Sequence, residues 1–308
     1  MKNLPQKLNK GDTIGVISPA GVVKESSQID AAVKYFENKG YKVKLAPHAG
    51  DKKAYLAGED GDRLSDLMEM FKDSEIKAIM CSRGGYGTFR LLENIDWEVI
   101  KNNPKIFVGY SDITALLNNF VEKSELVCFH GPLAVSDFGT EEIDPYTEKV
   151  FWEVFEGKAD VPYSFENPVQ YRSIVAGQAE GVLMGGNLSI LCGLLGTPYF
   201  PDFEDKILLL EDIGEPVYKI DRLLTQLKLA GVFEKAVGVL FADFTSVGEN
   251  SDITPVEFIK EFSKDLNIPV GYGFAASHDK TKATLPLGVK YRFNPADFKL
   301  GVIESFIS

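Results

Sequence analysis

The stretch Pro104-Lys105-Ile106-Phe107-Val108-Gly109-Tyr110-Ser111-Asp112-Ile113-Thr114-Ala115-Leu116-Leu117 changes its periodicity halfway along. Ile106, Phe107 and Val108 form a short apolar run with β-branched and aromatic members, which predicts a buried strand. Gly109 ends the run. From Ile113 the pattern turns helical, with Ile113, Leu116, Leu117 and Phe120 on one face. Ser111 therefore falls on a sharp strand-to-helix turn. Such a turn lifts a hydroxyl clear of the sheet, next to backbone N–H groups without intrahelical partners, as in a nucleophile elbow. The match to G-x-S-x-G is partial, since Ile113 stands where the second glycine would be. A helix cap supplied by Ser111 or Asp112 is the competing reading of the same residues.

Outward from this turn, strand and helix signals alternate. Strands are expected over 14–18, 41–45, 77–81, 106–108 and 126–129, and helices over 26–38, 62–73 and 88–92. Alternation of this kind predicts a parallel sheet with helices on both faces, whose ligands bind at the carboxyl ends of the strands. Three polar features follow predicted strand ends and should share that edge: the run Ser82-Arg83-Gly84-Gly85-Tyr86-Gly87, Ser111, and His130-Gly131-Pro132. Composition shifts near 157, where Gly157, Pro162, Pro168 and Gly177 fall in a stretch of little helical periodicity. The expected organisation is an N-terminal α/β domain over 1–160, a linker over 161–178, and a second domain over 179–308 that is richer in strand signals. Those strand signals lie at 181–184, 206–210, 236–242 and 290–293, with helical runs at 187–195, 218–229 and 255–265.

At 308 residues the chain can bury roughly 75% of its unfolded surface, so it needs no disulfide or metal staple. Its 44% hydrophobic and 25% charged content are those of a globular protein. The net charge of -12, with no Lys/Arg cluster, argues against a nucleic-acid partner. Cys81, Cys128 and Cys192 are odd in number and widely spaced, against a disulfide framework or a zinc site. Residues 1–12 are polar and lack a signal-peptide core, and no apolar run of about 18 residues exists. The expectation is a cytoplasmic protein with no membrane partner.

Only three histidines are available as a general base. His48 reads as a surface loop residue without notable neighbours. His130 ends a strand, and His278 lies in a loop of small residues with Gly271, Gly273, Ala275 and Ala276 before it. Among the many acids, Glu211 is the first residue after the apolar run Ile207–Leu210, and a carboxylate there can orient an imidazole. Glu215, in the same loop, is its competitor. The glycine run at 83–87 is neither G-x-G-x-x-G nor a phosphate loop. It can present bare N–H groups as an oxyanion hole does, or form a tight turn only. No metal-ligand spacing of His and carboxylates is evident, and Cys81 is either a nucleophile or a buried strand residue. A non-catalytic binding module and a nucleotide-binding oxidoreductase remain as other classes, the latter opposed by the missing dinucleotide fingerprint.

Taken together, Gly109-Tyr110-Ser111-Asp112, Ser82-Arg83-Gly84-Gly85-Tyr86-Gly87, His130-Gly131-Pro132, Gly185-Gly186-Asn187-Leu188, Leu210-Glu211-Asp212-Ile213-Gly214-Glu215 and Ser277-His278 resemble the LD-carboxypeptidases. These serine peptidases also include the microcin C immunity proteins. The blocks occur in the family's order from Gly11 to about Phe293. The resemblance implies a Ser111-Glu211-His278 triad, with the serine on an N-terminal α/β domain and the acid and base on a smaller β-rich C-terminal domain. It further implies an oxyanion hole of Gly85 and Asp112 N–H groups, substrate contacts from Arg83, Gly84, Tyr86 and Asn187, no cofactor, no metal, and a homodimer. The implied substrate is a small peptide cut at the LD-amide bond before the terminal D-alanine of a murein tetrapeptide. The aminoacyl-nucleotide of processed microcin C is the alternative. The short stretch between Ser111 and Glu211 favours the carboxypeptidase.

Overall fold

In the computed structural model, residues 2–247, 252–297 and 299–308 are described. The chain separates into two compact units. The first comprises Met1–Ala159 with Thr284–Pro286 and Phe306–Ser308, and the second Asp160–Ala283 with Leu287–Ser305.

In the first unit strands and helices alternate: β1 (Thr13–Ile17), α1 (Ser26–Asn38), β2 (Lys42–Leu45), α2 (Asp60–Lys72), β3 (Ile76–Cys81), α3 (Trp97–Asn102), β4 (Ile106–Gly109), α4 (Thr114–Ser124), β5 (Cys128–His130) and α5 (Pro145–Phe155). All pairings among β1 to β5 are parallel, in the order β5-β4-β3-β1-β2. The helices bury the faces that their apolar spacing prescribes. In α1 these are Ile29, Ala32 and Phe36, and in α2 Leu67, Met70 and Phe71. Phe71, Phe107 and Phe120 meet with ring centroids 4.8–5.9 Å apart, joining α2, β4 and α4 in one core. Asp144 caps α5 by accepting the N–H of Thr147, with Pro145 at the first helical position.

The second unit contains β6 (Tyr163–Phe165), β7 (Arg172–Val175), β8 (Ala179–Asn187), α6 (Leu188–Leu194), β9 (Lys206–Ile213), α7 (Val217–Leu229), α8 (Val232–Lys235), β10 (Gly238–Thr245), α9 (Pro255–Phe262), β11 (Val270–Tyr272), β13 (Lys290–Asn294) and β14 (Lys299–Val302). These form one sheet in the order β6-β14-β13-β8-β9-β10-β11-β7. Its centre, β8-β9-β10-β11, is parallel, and antiparallel strands flank it on both sides. The intervening strand β12 (Leu285–Leu287) adds to the first sheet beside β5.

The fold is thus α/β, with a parallel N-terminal sheet and a β-rich second unit. Several expectations need correcting. The stretch expected as a linker, 161–178, carries β6 and β7, which pair with β14 and β11. Each is four residues or fewer, too short to register a period against its prolines and glycines. Residues 88–92 form no α-helix: Thr88–Arg90 and Leu92–Asn94 are single 3₁₀ turns, because Gly87 and the Asp112 carboxylate hold the chain in a tight bend. Among the described residues no helix is long and apolar enough to cross a membrane.

Candidate active site

Parallel pairing of β3, β4 and β5 brings their carboxyl ends together, with His130 in register with Gly109. Directly beyond β4, Tyr110 is extended and Ser111 is left-handed, with φ +63°. A non-glycine residue rarely adopts that conformation, and it costs on the order of 1–3 kcal/mol, held in place by the surrounding structure. Neither Ser111 nor Asp112 supplies a side-chain cap to the turn or to α4. Ser111 is half-buried and its side chain lies against the glycine run. A β-carbon on Gly84 would stand 2.6 Å from Ser111 Cβ, 2.7 Å from Oγ and 3.4 Å from the backbone nitrogen of Asp112. Only a glycine lets the two loops approach this closely.

The glycine loop is braced from beneath. The buried Asp112 carboxylate accepts the N–H of Thr88 at 2.9 Å, and Thr88 Oγ1 donates to the Asp112 carbonyl at 2.8 Å. Burial pushes the Asp112 carboxyl up to about 6. Arg63, buried in α2, donates to the carbonyls of Pro19 and Gly87 and pairs with Asp60. Gly21 N–H donates to the Gly84 carbonyl at 3.0 Å. Arg63 and Thr88 were not singled out from the sequence. A lone arginine on an amphipathic helix and a threonine after a glycine run carry no signal of what they will meet. Gly85 is exposed, and Arg83 donates to the Val22 carbonyl at 2.7 Å. Tyr86 is exposed on the loop with its ring 6.0 Å from that of Tyr55.

In the second unit, Glu211 does not follow β9, as expected, but lies within it and is fully buried. Pairing with β8 continues to Asn187↔Glu211 and pairing with β10 to Thr245↔Ile213, so the strand extends past its apolar run. Glu211 Oε2 lies 2.6 Å from Nδ1 of His278, whose side chain is 11% exposed. The contact holds the imidazole by its Nδ1 edge. Asn187 Nδ2 donates to Glu211 Oε1 at 3.3 Å and to Asp212 Oδ1 at 3.0 Å, while its Oδ1 caps α6 by accepting the N–H of Ile190. Asp212, whose carboxyl is raised by burial, also takes the N–H and hydroxyl of Ser189. A β-carbon on Gly185, which holds φ +121°, would come within 2.2 Å of the Leu209 carbonyl oxygen. This glycine lets β8 pass close to β9 just before Asn187 and Glu211 pair. The His278 loop is fixed by Asn167, which accepts the N–H of Ala275 and donates to the Gly273 carbonyl.

The competing residues have other partners. Glu215 pairs with Lys219 at 3.1 Å, one turn along at the start of α7. His130 is buried at the end of β5 with its ring 6.1 Å from Tyr110. Cys81 is buried in β3, and burial pushes its thiol well above the ordinary range, against a thiolate nucleophile. His48 is not the isolated loop histidine expected: its ring and backbone meet Asp66, with Asp62 nearby.

The first unit thus carries a serine on a strained turn against a glycine loop, and the second an imidazole paired with a buried carboxylate. Residues 14–131 match the LD-carboxypeptidase N-terminal domain, and residues 180–293 match the LD-carboxypeptidase C-terminal domain. The chain belongs to the LD-carboxypeptidase family. It is 39% identical to the probable murein peptide carboxypeptidase of Bacillus subtilis, over 99% of this chain and 95% of that one. It is 30% identical to the microcin C7 self-immunity protein MccF of Escherichia coli, covering 99% and 97% of the two chains. The wild-type apo structure of that immunity protein superposes with a TM-score of 0.92 at 28% identity, over 99% of this chain and 100% of the other. A muramoyltetrapeptide carboxypeptidase from Oxalobacter formigenes superposes with a TM-score of 0.83 at 29% identity, over 96% and 100%.

Proposed function

We propose that the chain is a cytoplasmic serine-type LD-carboxypeptidase that releases the terminal D-amino acid from a murein tetrapeptide. The observation that carries this reading is the 2.6 Å contact between Glu211 and Nδ1 of His278, which leaves Nε2 as a base. In this reading Ser111 Oγ attacks the amide carbonyl and His278 Nε2 takes its proton. The imidazolium so formed is stabilised by Glu211. Backbone N–H groups of Gly85 and Asp112 hold the oxyanion, where loss of one donor typically costs on the order of 10²–10³ in rate. His278 then protonates the departing amine, and a water activated by the same nitrogen frees the acyl group from Ser111. Arg83, Gly84, Tyr86 and Asn187 contact or shape the substrate site. Arg83 suits the terminal carboxylate, and Asn187 also steadies Glu211. The chain works as a homodimer.

The test is D-alanine release from a murein tetrapeptide, run beside hydrolysis of an aminoacyl-nucleotide. Release from the peptide is expected, and its loss by about 10⁶ in kcat in Ser111→Ala. Turnover of the nucleotide alone would replace this reading with the immunity-type hydrolase, which the TM-score of 0.92 to the self-immunity protein favours. Fluorophosphonate should label Ser111, and labelling should fail in His278→Ala. An unlabelled wild-type protein would mean a binding module.

A further inference from the structure

We propose that His48, Asp51 and Asp62 form a binding site for a divalent transition-metal cation, with Asp66 holding His48 in its ligating tautomer. All four residues belong to the first unit, and the inference is independent of the hydrolytic reading. Asp62 and Asp66 lie four residues apart on α2 and so present their carboxylates on one face. His48 and Asp51 come from the loop after β2, closed by the Asp51 N–H donating to the His48 carbonyl at 3.0 Å.

Asp66, almost fully buried, accepts both the His48 backbone N–H at 3.0 Å and Nδ1 at 2.9 Å. The imidazole is thereby held by its Nδ1 edge, which leaves Nε2 as the nitrogen available to a cation. Nε2 lies 3.9 Å from Asp62 Oδ1. One ligand atom from each of His48, Asp51 and Asp62 falls within 4.8 Å of the other two. Donors on a tetrahedral zinc ion at bond lengths of about 2.0–2.2 Å stand roughly 3.3–3.6 Å apart, so small side-chain rotations close the set.

Two features distinguish this group from a chance gathering of surface acids. One member is a histidine, and it carries the buried outer-sphere carboxylate that ligating histidines commonly have. Three carboxylates surround one imidazole, an excess of negative charge that a cation relieves. The donor set of one nitrogen and two oxygens suits a borderline ion such as zinc, with a fourth position left for water. The cation would tie the loop to α2. The far end of that loop borders the glycine run, where the Tyr55 carbonyl accepts the Val22 N–H and the Tyr55 ring faces Tyr86. The site is therefore a fastening for one wall of that surface, outside the residues assigned to chemistry.

The test is calorimetric titration of Zn²⁺ into the chelator-treated full chain, with Co²⁺ absorption as a spectroscopic check on the ligands. One ion per chain is expected. His48→Ala and Asp62→Asn should each weaken binding by at least about tenfold, and Asp66→Asn by about 10–100-fold. Far-UV circular dichroism should show each variant folded, and Asp62, half-exposed on the first turn of α2, is the variant least able to disturb the fold. His278→Ala should bind as the wild type does. The proposal is overturned by no zinc uptake up to about 1 mM. It is equally overturned by uptake indifferent to His48→Ala and Asp62→Asn, or by uptake lost only in His278→Ala.

Discussion

Ser111 rests on Gly84 so closely that a single methyl group at position 84 would overlap its hydroxyl, 2.7 Å from Oγ. The left-handed backbone of Ser111 and the bare Cα of Gly84 therefore depend on each other. Gly84→Ala should leave both sheets intact, since the clash is local, but displace the serine. Misplacement on the 1 Å scale can cost about 10²-fold. We expect kcat to fall by that order with little change in the thermal midpoint. A Gly84→Ala protein with wild-type kcat would mean that the serine hydroxyl does not work where the structure places it.

Glu211 and Glu215 separate cleanly by partner. Under the proposed mechanism Glu211→Gln loses the carboxylate that orients His278, so kcat should drop by about 10⁴. Glu215→Gln breaks only the pair with Lys219, a partly exposed pair worth about 0.2–1 kcal/mol. Steady-state kinetics on both variants checks this, and a greater loss in Glu215→Gln would reverse the assignment.

His278 and His130 should fail in different ways. His278→Ala is expected to lose several orders of magnitude in kcat, with stability near wild type. His130 is buried at 2% exposure beside Tyr110, so His130→Ala leaves a cavity in the first unit. It should lower the thermal midpoint by several degrees while kcat falls far less. Melting curves beside kinetics decide it, and the opposite ranking of kcat losses moves the base to His130.

Asp112 predicts a pH signature in stability. Its folded carboxyl is raised to about 6 by burial, against an ordinary 3.8. Between these values the folded protein binds more protons than the unfolded chain, so this group makes stability fall as pH rises from about 4 to 6, then level off. The cost of ionising it is at most about 3 kcal/mol. Asp112→Asn keeps an oxygen for the Thr88 N–H and carries no charge. Urea midpoints from pH 4 to 8 should therefore show the variant gaining on the wild type up to pH 6 and running parallel above it. A constant difference across that range would mean an ordinary carboxyl.

What the linear chain announced was local. The switch from the Ile106–Val108 run to the helical spacing after Ile113 located the turn at Ser111, because strand and helix periods are properties of neighbours in sequence. Apolar faces such as Ile29, Ala32 and Phe36 likewise specified their own burial. The α/β class followed from the alternation of such segments. Short elements escaped this reading: β6 and β7 are too brief to show a period, and their partners β14 and β11 lie far away in sequence. The extension of β9 through Glu211 was equally hidden, since ladder bonds to Asn187 and Ile213's partner Thr245 decide it, not the strand's own residues. Which of two glutamates meets an imidazole, why Gly84 must lack a side chain, and that His48 sits among three carboxylates are all matters of contact between distant segments. Side-chain chemistry can be read from a sequence, but the distance between two side chains depends on the packing of everything between them.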